Sequence, residues 1–317
     1  MWGRGGNMDD LLTAQETAEI LKVKKSTVYE MIKRGEIPSR KIGKQLRIRS
    51  EDIQNLLLPE SAPPFLRQEV APRAGALASQ PVKMESMVIC GQDIALDLIA
   101  GELSTRAGMP QILRSHKGSY NGLVDLYHGR AQVATAHLWD ERTASYNTPY
   151  IEKLLPATDV VVVRLFGREA GFFVRAGNPK GLQSWESLRQ PGLLLANREP
   201  GCGMRVLLDE KLRTLRIPPD ALAGYDTPRG SHLAVAGAVS SGEADVGLGV
   251  SSAVHQMRGV EFVPLQREWC DMVFLARQQD EMPFRTLLDY VSSERFMLEL
   301  SPIGEYDFSE TGRIFRL

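Results

Sequence analysis

Cysteine is scarce in this chain of 317 residues. The three cysteines, Cys90, Cys202 and Cys270, are widely separated and form no C-x-x-C pair, so the sequence predicts neither a disulfide framework nor a zinc site. No apolar run approaches the ~20 residues that a membrane span needs, and the first residues lack the apolar segment of a secretory signal. We therefore expect a cytoplasmic protein of two or three domains that has no membrane partner.

Common catalytic motifs are also missing. The sequence has no H-E-x-x-H and no G-x-S-x-G, and neither a P-loop nor a G-x-G-x-x-G in a suitable context. Cys202 between two glycines suggests a thiol nucleophile with His232 as its base, because the start of a helix lowers the pKa of a cysteine. Nothing in the sequence places that base within bonding distance. We therefore expect no catalytic residues, no enzymatic activity, no cofactor and no metal.

Charge is nearly balanced over the whole chain but unevenly distributed along it. The formal net charge is −1. Residues 13–50 contain ten basic and four acidic side chains, a local net charge of +6, so the remainder is acidic on balance. Positive charge that is concentrated on one small module is what contacts with DNA phosphates require.

Two short helices are predicted at the start of this basic segment. Thr13 can cap the first helix, and Glu16 three residues later completes a capping box. Ser26 can cap the second helix, which leaves its polar residues outward. The apolar positions of the two helices are expected to face inward: Ala14, Ala18, Leu21, Val28, Met31 and Ile32.

A hairpin and a third helix are predicted to follow. The run from Ser39 to Ile48 alternates in polarity and turns at Gly43, which is typical of a β-hairpin wing. Ser50 then begins a helix that extends toward Leu58. Two helices followed by a wing predict that the second helix is a recognition helix, whose N-terminal residues meet base edges in the major groove.

This segment resembles the excisionase-like branch of the MerR-type DNA-binding domains. The features that carry the resemblance are T-x-x-E-x-A-x-x-L from Thr13, S-T-V-Y from Ser26, G-x-I-P from Gly35 and the basic wing. The resemblance implies that helix two contacts the major groove of double-stranded DNA and that the wing contacts the backbone or the minor groove. The expected DNA contacts are Lys24, Lys25, Ser26, Thr27, Tyr29, Lys33, Arg40, Lys41, Lys44 and Arg47.

A proline-rich segment separates this module from the rest of the chain. Residues 59–83 contain five prolines together with several alanines and serines, a composition typical of an extended linker. We therefore predict a winged helix-turn-helix domain over 8–58, a linker over 59–85 and a ligand-sensing domain over 86–317.

Short apolar strands alternate with helices from Ser86 onward. Separate strands are predicted at Asp159–Phe166 and Gly171–Val174, on either side of a polar stretch. The alternation predicts parallel sheets with helices on their faces, and so an α/β fold.

An internal repeat divides the α/β domain. Gly129 and Gly242 each begin the sequence G-x-A-x-V, between the end of a helix and a strand, where a left-handed residue is favoured. Two similar lobes are therefore expected, with lobe 1 at about 86–166 and 256–317 and lobe 2 at about 167–255.

The α/β domain resembles the type II periplasmic binding protein fold, and more closely the cytoplasmic periplasmic-binding-protein-like (PBP-like) domain that is attached to helix-turn-helix segments. The strongest pieces of the resemblance are Gly118-Ser119, residues 136–140, residues 197–205 and residues 242–245. Relatives of this domain bind molybdate or tungstate, or occur beside molybdenum-cofactor enzymes. The resemblance thus implies a small-molecule ligand, with a molybdate- or tungstate-type oxyanion favoured.

Three loops before predicted helices, together with His137 at the end of a predicted strand, are the expected ligand contacts. The start of a helix offers free N–H groups and partial positive charge, which suits an anion. Relatives usually have Ser-Gly-Thr where this chain has Cys202-Gly203-Met204, which indicates a larger or softer ligand, or binding through backbone N–H groups. The expected ligand-binding residues are Ser115, Ser119, His137, Asn197, Arg198, Gly201, Cys202, Gly203, Arg205 and His232.

Together these features predict a one-component transcriptional regulator. A small reading head gives limited specificity alone, so a homodimer on two half-sites is expected. Two alternatives remain open at this point. One is an accessory or carrier protein for an oxyanion or the molybdenum cofactor, whose basic head contacts protein instead of DNA. The other is a regulator that senses an organic acid.

Overall fold

The computed structural model describes residues 11–33, 37–42, 45–49, 84–254 and 257–317. The chain divides into two compact units, residues 1–80 and 81–317, and each is described by itself. The helix predicted from Ser50 to Leu58, the turn at Gly43, and residues 59–83 of the predicted linker lie outside the described residues.

The first unit consists of short elements around a small core. Its elements are β1 (Leu11–Thr13), α1 (Ala14–Leu21), α2 (Lys25–Lys33), β2 (Arg40–Ile42) and β3 (Gln45–Arg49). The strands form an antiparallel sheet in the order β1-β3-β2, so the predicted hairpin is confirmed and gains a third strand. Three residues are too few to show an alternating pattern, which is why β1 could not be predicted.

The N-terminus of α1 is fixed by the predicted capping box. The Thr13 hydroxyl accepts from the Glu16 backbone N–H at 3.2 Å, and the Glu16 carboxylate accepts from the Thr13 N–H at 2.7 Å. Helix α2 begins at Lys25, so Ser26 lies inside the first turn and is not the N-cap that the sequence predicted. The two helices and the sheet bury Ala14, Ala18, Val28, Ile37 and Ile48.

The second unit contains one large mixed sheet, a short hairpin and helices on the faces of the sheet. Its strands are β4 (Ser86–Cys90), β5 (Gln111–Ser115), β6 (Val133–Ala136), β7 (Trp139–Asp140), β8 (Ser145–Tyr146), β9 (Val160–Arg175), β10 (Leu195–Arg198), β11 (Pro228–Arg229), β12 (Val246–Val250), β13 (Val260–Leu275), β14 (Tyr306–Asp307) and β15 (Ile314–Arg316). Its α-helices are α3 (Ala95–Thr105), α4 (Ser119–Tyr127), α5 (Thr148–Leu154), α6 (Gly203–Leu215), α7 (His232–Ser240), α8 (Met282–Val291) and α9 (Glu294–Leu300).

Two long antiparallel strands, β9 and β13, connect the two lobes of this sheet. The strand order is β11-β10-β12-β9-β13-β6-β4-β5, and β9 and β13 pair along most of their 16 residues. At one end of the two strands, where Val160 pairs with Leu275, β13 pairs with β6 of lobe 1, which also contains β4 and β5. Toward the other end, β9 pairs with β12 of lobe 2, which also contains β10 and β11. The pairs β4-β5, β4-β6, β10-β11 and β10-β12 are parallel, as predicted, but the connecting strands make the sheet mixed.

The prediction of two separate strands in 159–174 was wrong, because β9 continues through the polar residues between them. Gly167, Arg168 and Glu169 suggest a loop by composition. In the structure Arg168 is only 5% exposed. Two carboxylates replace water as the partners of its charge, so Arg168 can be buried within a continuous strand. Gly129 and Gly242, in contrast, have the predicted left-handed conformation, with φ of 71° and 78°.

Each lobe has its own apolar core. Lobe 1 packs α3, α8 and α9 on one face of its strands and α4 on the other. Lobe 2 packs α6 and α7 against β10 and β12. Within the described residues, no helix combines the length and the apolar character that crossing a bilayer requires.

Candidate functional site

A cavity of about 470 Å³ lies between the two lobes of the second unit. Both lobes and the connecting strand β9 contribute to its wall. The lining residues are Gln92, Asp93, Ile94, His116, His137, Arg168, Arg198, Gly230, Ser231, His232, Leu233, Val250, Ser252, Ala253 and Ile303.

Arg198 connects the two lobes at this cavity. It is the last residue of β10 in lobe 2 and is only 1% exposed. Its Nε donates to Glu199 Oε2 at 2.8 Å, and its Nη2 donates to Glu199 Oε1 at 2.9 Å and to Gln92 Oε1 of lobe 1 at 2.6 Å. Gln92 Nε2 in turn donates to Glu199 Oε1 at 2.9 Å. Among the described residues, Arg198 Nη1 is buried without a hydrogen-bond acceptor.

Arg168, on the connecting strand β9, forms ion pairs with two carboxylates. Its Nε donates to Glu268 Oε1 on β13 at 2.6 Å, and its Nη1 donates to Asp93, which follows β4. Burial opposes the charged form of Arg168, but Glu268 and Asp93 outweigh it, so the pKa of Arg168 is raised. Burial raises the pKa of Glu268 despite the nearby Arg168. Removing one partner from such a group would leave a buried charge without compensation.

Two histidines of the cavity have strongly lowered pKa values. Burial is the main cause for His137 and for His232, and the positive charges of Arg168 and Arg198 lower both pKa values further. Ser119 Oγ lies 3.2 Å from His137 Nδ1, whereas His232 Nδ1 has no hydrogen-bond partner among the described residues. Both rings are therefore neutral near pH 7. An anion bound beside them would raise the pKa of each ring.

The starts of α3 and α7 border the cavity, whereas the starts of α4 and α6 face each other across the lobes. Ser231 caps α7 by accepting from the Ala234 N–H at 3.1 Å, and the first turn of α7 lies at the cavity wall. The starts of α4 and α6 are instead in contact, because the Tyr120 N–H donates to Gly201 O at 3.0 Å. A Cβ atom on Gly118 would lie 2.6 Å from the same oxygen. These two loops thus hold the lobes together.

The structure separates the ten predicted ligand-binding residues into two groups. His137, Arg198 and His232 line the cavity together. The remaining predicted residues are not among its lining residues: Ser115, Ser119, Asn197, Gly201, Cys202, Gly203 and Arg205. All ten stay predictions.

Several residues of the second group have structural contacts instead. Ser119 contacts His137, Asn197 Nδ2 donates to Tyr225 O at 2.9 Å, and Arg205 Nε donates to Asp209 Oδ1 at 3.0 Å. These contacts position the cavity residues and the start of α6.

The helix start does not lower the pKa of the Cys202 thiol as the sequence suggested. Cys202 does precede α6, as a lowered thiol pKa would require. It is, however, only 1% exposed, and burial raises the pKa of its thiol although Arg198 opposes this effect. Loss of hydration therefore outweighs the effect of the helix start that the sequence suggested.

The sequence did not predict Gln92, Asp93, Arg168 or Glu268 as part of this site. The sequence contains no clear signal for the last two, because Arg168 and Glu268 each lie in a short polar stretch, residues 167–169 and 266–268, which is typical of a loop. A buried charge is usually paired. Their pairing with each other depends on the register between distant strands, which a single sequence does not show.

Five of the seven predicted DNA-contact residues whose side chains are described are exposed. Lys24, Lys25, Ser26, Tyr29 and Lys33 are exposed at α2, and Thr27 is half-buried. Arg47 is half-buried on β3, and Arg40 and Lys41 are residues of β2. Lys44 lies outside the described residues.

Comparison with known proteins agrees with both units. Residues 100–292 match the family described as "PBP superfamily domain", and residues 11–58 match the family described as "Helix-turn-helix domain". The chain is 35% identical over 302 residues to a protein of Bacillus subtilis (strain 168) named "Uncharacterized protein YvgK", which covers 95% of this chain and 96% of that relative.

Solved structures share the fold of the second unit at low sequence identity. A putative phosphate ABC transporter substrate-binding protein with bound phosphate from Clostridium perfringens is 13% identical, with a TM-score of 0.51 over 68% of this chain and 97% of that one. The CcmR regulatory domain of Synechocystis PCC6803, in complex with 2-PG, is 12% identical, with a TM-score of 0.50 over 65% of this chain and 95% of that one. The chain therefore belongs to the PBP superfamily domain family and has a helix-turn-helix domain at its N-terminal end.

Proposed function

We propose that the protein is a one-component transcriptional regulator, in which a small ligand in the interlobe cavity controls DNA binding. The observation that carries the proposal is the presence of two domains in one chain. The helix-turn-helix domain has exposed lysines at the start of its second helix, and the two-lobed domain has a cavity that is lined by a buried arginine. The proposal places the protein in the cytoplasm with its DNA and involves no chemical reaction.

The first unit supplies the DNA-binding half of the proposal. At the start of α2, Ser26 is positioned to meet base edges, and Lys24 and Lys25 beside it are positioned to contact phosphate groups. Strands β2 and β3 form the wing that contacts the phosphate backbone. A head of this size covers a short site, so we propose that two copies bind two half-sites as a homodimer.

The cavity of the second unit supplies the ligand-binding half. Among the residues that the structure describes, Arg198 Nη1 and His232 Nδ1 have no hydrogen-bond partner, and the first turn of α7 has N–H groups without acceptors inside the helix. These donors favour an anion. Molybdate and tungstate, which the sequence resemblance implies, are therefore included among the ligands to be tested.

Lobe contacts provide the physical means of control. Glu199 and Gln92 hold Arg198 between the lobes, so a ligand that binds Arg198 competes with contacts that connect the two lobes. A ligand shifts a conformational equilibrium only if it binds the two states with different affinity. We propose that this difference changes the geometry of the paired DNA-binding units.

The proposal is tested by two measurements on the full chain. A gel-shift assay with genomic DNA from upstream of its own coding sequence should show binding at low salt. A thermal-shift panel of oxyanions and organic acids should identify a ligand, because ligand at a hundredfold excess over Kd stabilises the folded state by ~2.7 kcal/mol. Absence of DNA binding at low salt, with a ligand bound, would favour the accessory or carrier protein instead.

A further inference from the structure

Two large apolar side chains line the cavity from opposite lobes and are exposed. Ile94, immediately before α3 in lobe 1, is 49% exposed, and Leu233, in the first turn of α7 in lobe 2, is 59% exposed. Val250 and Ile303 contribute further apolar surface. Covering apolar surface favours binding in proportion to the area that is removed from water. The cavity wall therefore favours a ligand that carries hydrocarbon.

The charged groups at the cavity already form ion pairs with one another. Arg168 pairs with Asp93 and Glu268, and Arg198 pairs with Glu199, so two guanidinium groups face three carboxyl groups. A tetrahedral dianion would add two negative charges to a cluster in which carboxyl groups are already in excess. A group with a single negative charge meets less repulsion. The charge balance therefore disfavours a dianion more strongly than a monoanion.

Two unpaired nitrogen atoms of cavity-lining side chains fit one small acidic group. Arg198 Nη1 and His232 Nδ1 lack partners among the described residues, and both side chains line the cavity. A carboxylate can accept a charge-assisted bond from a guanidinium and a second bond from another donor. His232 donates to it in the Nδ1–H form.

The size of the cavity is that of an organic ligand. Its volume of about 470 Å³ lies within the range of about 300–1,000 Å³ that is typical of pockets for organic small molecules. An inorganic oxyanion has five heavy atoms, so it would leave most of this space to water and would not cover Ile94 or Leu233.

We infer that the ligand is a small monocarboxylic acid with an apolar carbon body. Its carboxylate binds between Arg198 and His232, and its body lies between Ile94 and Leu233. This inference rests on the proposed function and narrows the ligand of the same cavity to one chemical class.

The test is a calorimetric titration of the full chain without DNA, using butyrate, hexanoate, octanoate, hexanamide, molybdate and sulfate as probes. Affinity should rise about fourfold for each methylene that becomes buried, the factor that corresponds to ~0.8 kcal/mol per CH₂. Hexanamide should bind at least about tenfold more weakly than hexanoate, because it lacks the charge that Arg198 recognises. Molybdate that binds more tightly than every carboxylate, or affinity that does not change with chain length, would overturn the inference.

Two variants of the cavity wall locate the apolar contact, and a third variant is their control. Ile94→Ser and Leu233→Ser should each reduce the dependence of affinity on chain length, and both positions are exposed, so the core stays intact. Leu298→Ser is the matched control, because Leu298 on α9 is 64% exposed and is not among the cavity-lining residues. A chain-length dependence that survives in both cavity variants contradicts the inference.

Failure of this inference is distinguishable from failure of the proposed function. A chain that binds hexanoate but no DNA retains the inference and refutes the regulator. A chain whose DNA affinity responds to molybdate, and which does not bind the carboxylates, supports the regulator and overturns the inference.

Discussion

Replacing Gly118 by alanine should force the two lobes of the second unit apart. Gly118 precedes α4 with φ −66° and ψ 163°, a conformation that alanine also adopts, so the substitution introduces no backbone strain of its own. The new Cβ atom would lie 2.6 Å from Gly201 O, 2.7 Å from Cys202 Cα and 2.9 Å from Cys202 N. All three are backbone atoms of the opposite lobe, so no side-chain rotation relieves the clash.

The expected magnitude follows from this overlap. Inserting a methyl group into a packed contact typically costs about 1–3 kcal/mol. Here the cost applies to the arrangement in which the lobes touch, and an opened arrangement avoids it. The equilibrium between the two arrangements should therefore shift toward the open one by a factor of about 5 to 150.

Hydrogen exchange measures this shift without a ligand. The Tyr120 N–H donates to Gly201 O across the lobes at 3.0 Å, so its exchange rate reports their separation. In Gly118→Ala this amide should exchange about 5 to 150 times faster than in the wild type. Gly101→Ala on α3 is the control, because its Cβ would meet nothing within 4 Å. Equal protection of Tyr120 in all three proteins would refute the assignment of this contact as the lobe closure.

Three further predictions concern stability and DNA binding. Burial lowers the pKa of His137 and His232 below the ordinary 6.5, so the unfolded chain binds more protons at acid pH. The free energy of unfolding should therefore fall as pH drops below about 6.5, by ~1.4 kcal/mol per pH unit for each histidine, and urea titrations of the two His→Gln variants should show a smaller fall than the wild type. Thr13→Ala removes the cap of α1 and should reduce the stability of the first unit by about 1 kcal/mol, whereas an unchanged urea midpoint would contradict the role of the cap. Lys24→Gln combined with Lys25→Gln should weaken binding to all DNA sequences alike and reduce the slope of log K against log salt by about 2; an unchanged slope would show that neither lysine contacts phosphate.

Local features of the fold were predictable because they depend on neighbouring residues. The capping box of Thr13 and Glu16 needs only a spacing of three, and the left-handed residues at Gly129 and Gly242 need only the end of a helix. The alternation of strands and helices likewise predicted an α/β domain, and the repeated sequence G-x-A-x-V predicted its two lobes. The continuous strand β9 was missed, because the partners that neutralise Arg168 are distant in the sequence.

The site was predictable only in part, for the same reason. His137, Arg198 and His232 were proposed from their positions at strand ends and helix starts, and they meet at one cavity. Helix starts alone also suggested the loops at Gly118 and Gly201, yet these contact each other. Which helix start faces a cavity depends on how the two lobes close on each other. The periodicity of apolar residues in the sequence contains no information about this arrangement.

The central claim is that ligand and DNA binding are coupled within one chain. It is tested most directly by measuring the Kd of the tightest-binding ligand of the panel with and without saturating DNA, together with the Kd of the DNA with and without that ligand. Linkage requires both ratios to be the same factor, and a regulator of this kind predicts a value of about 5 to 150. Two partners that both bind, with neither changing the affinity for the other, would contradict the account.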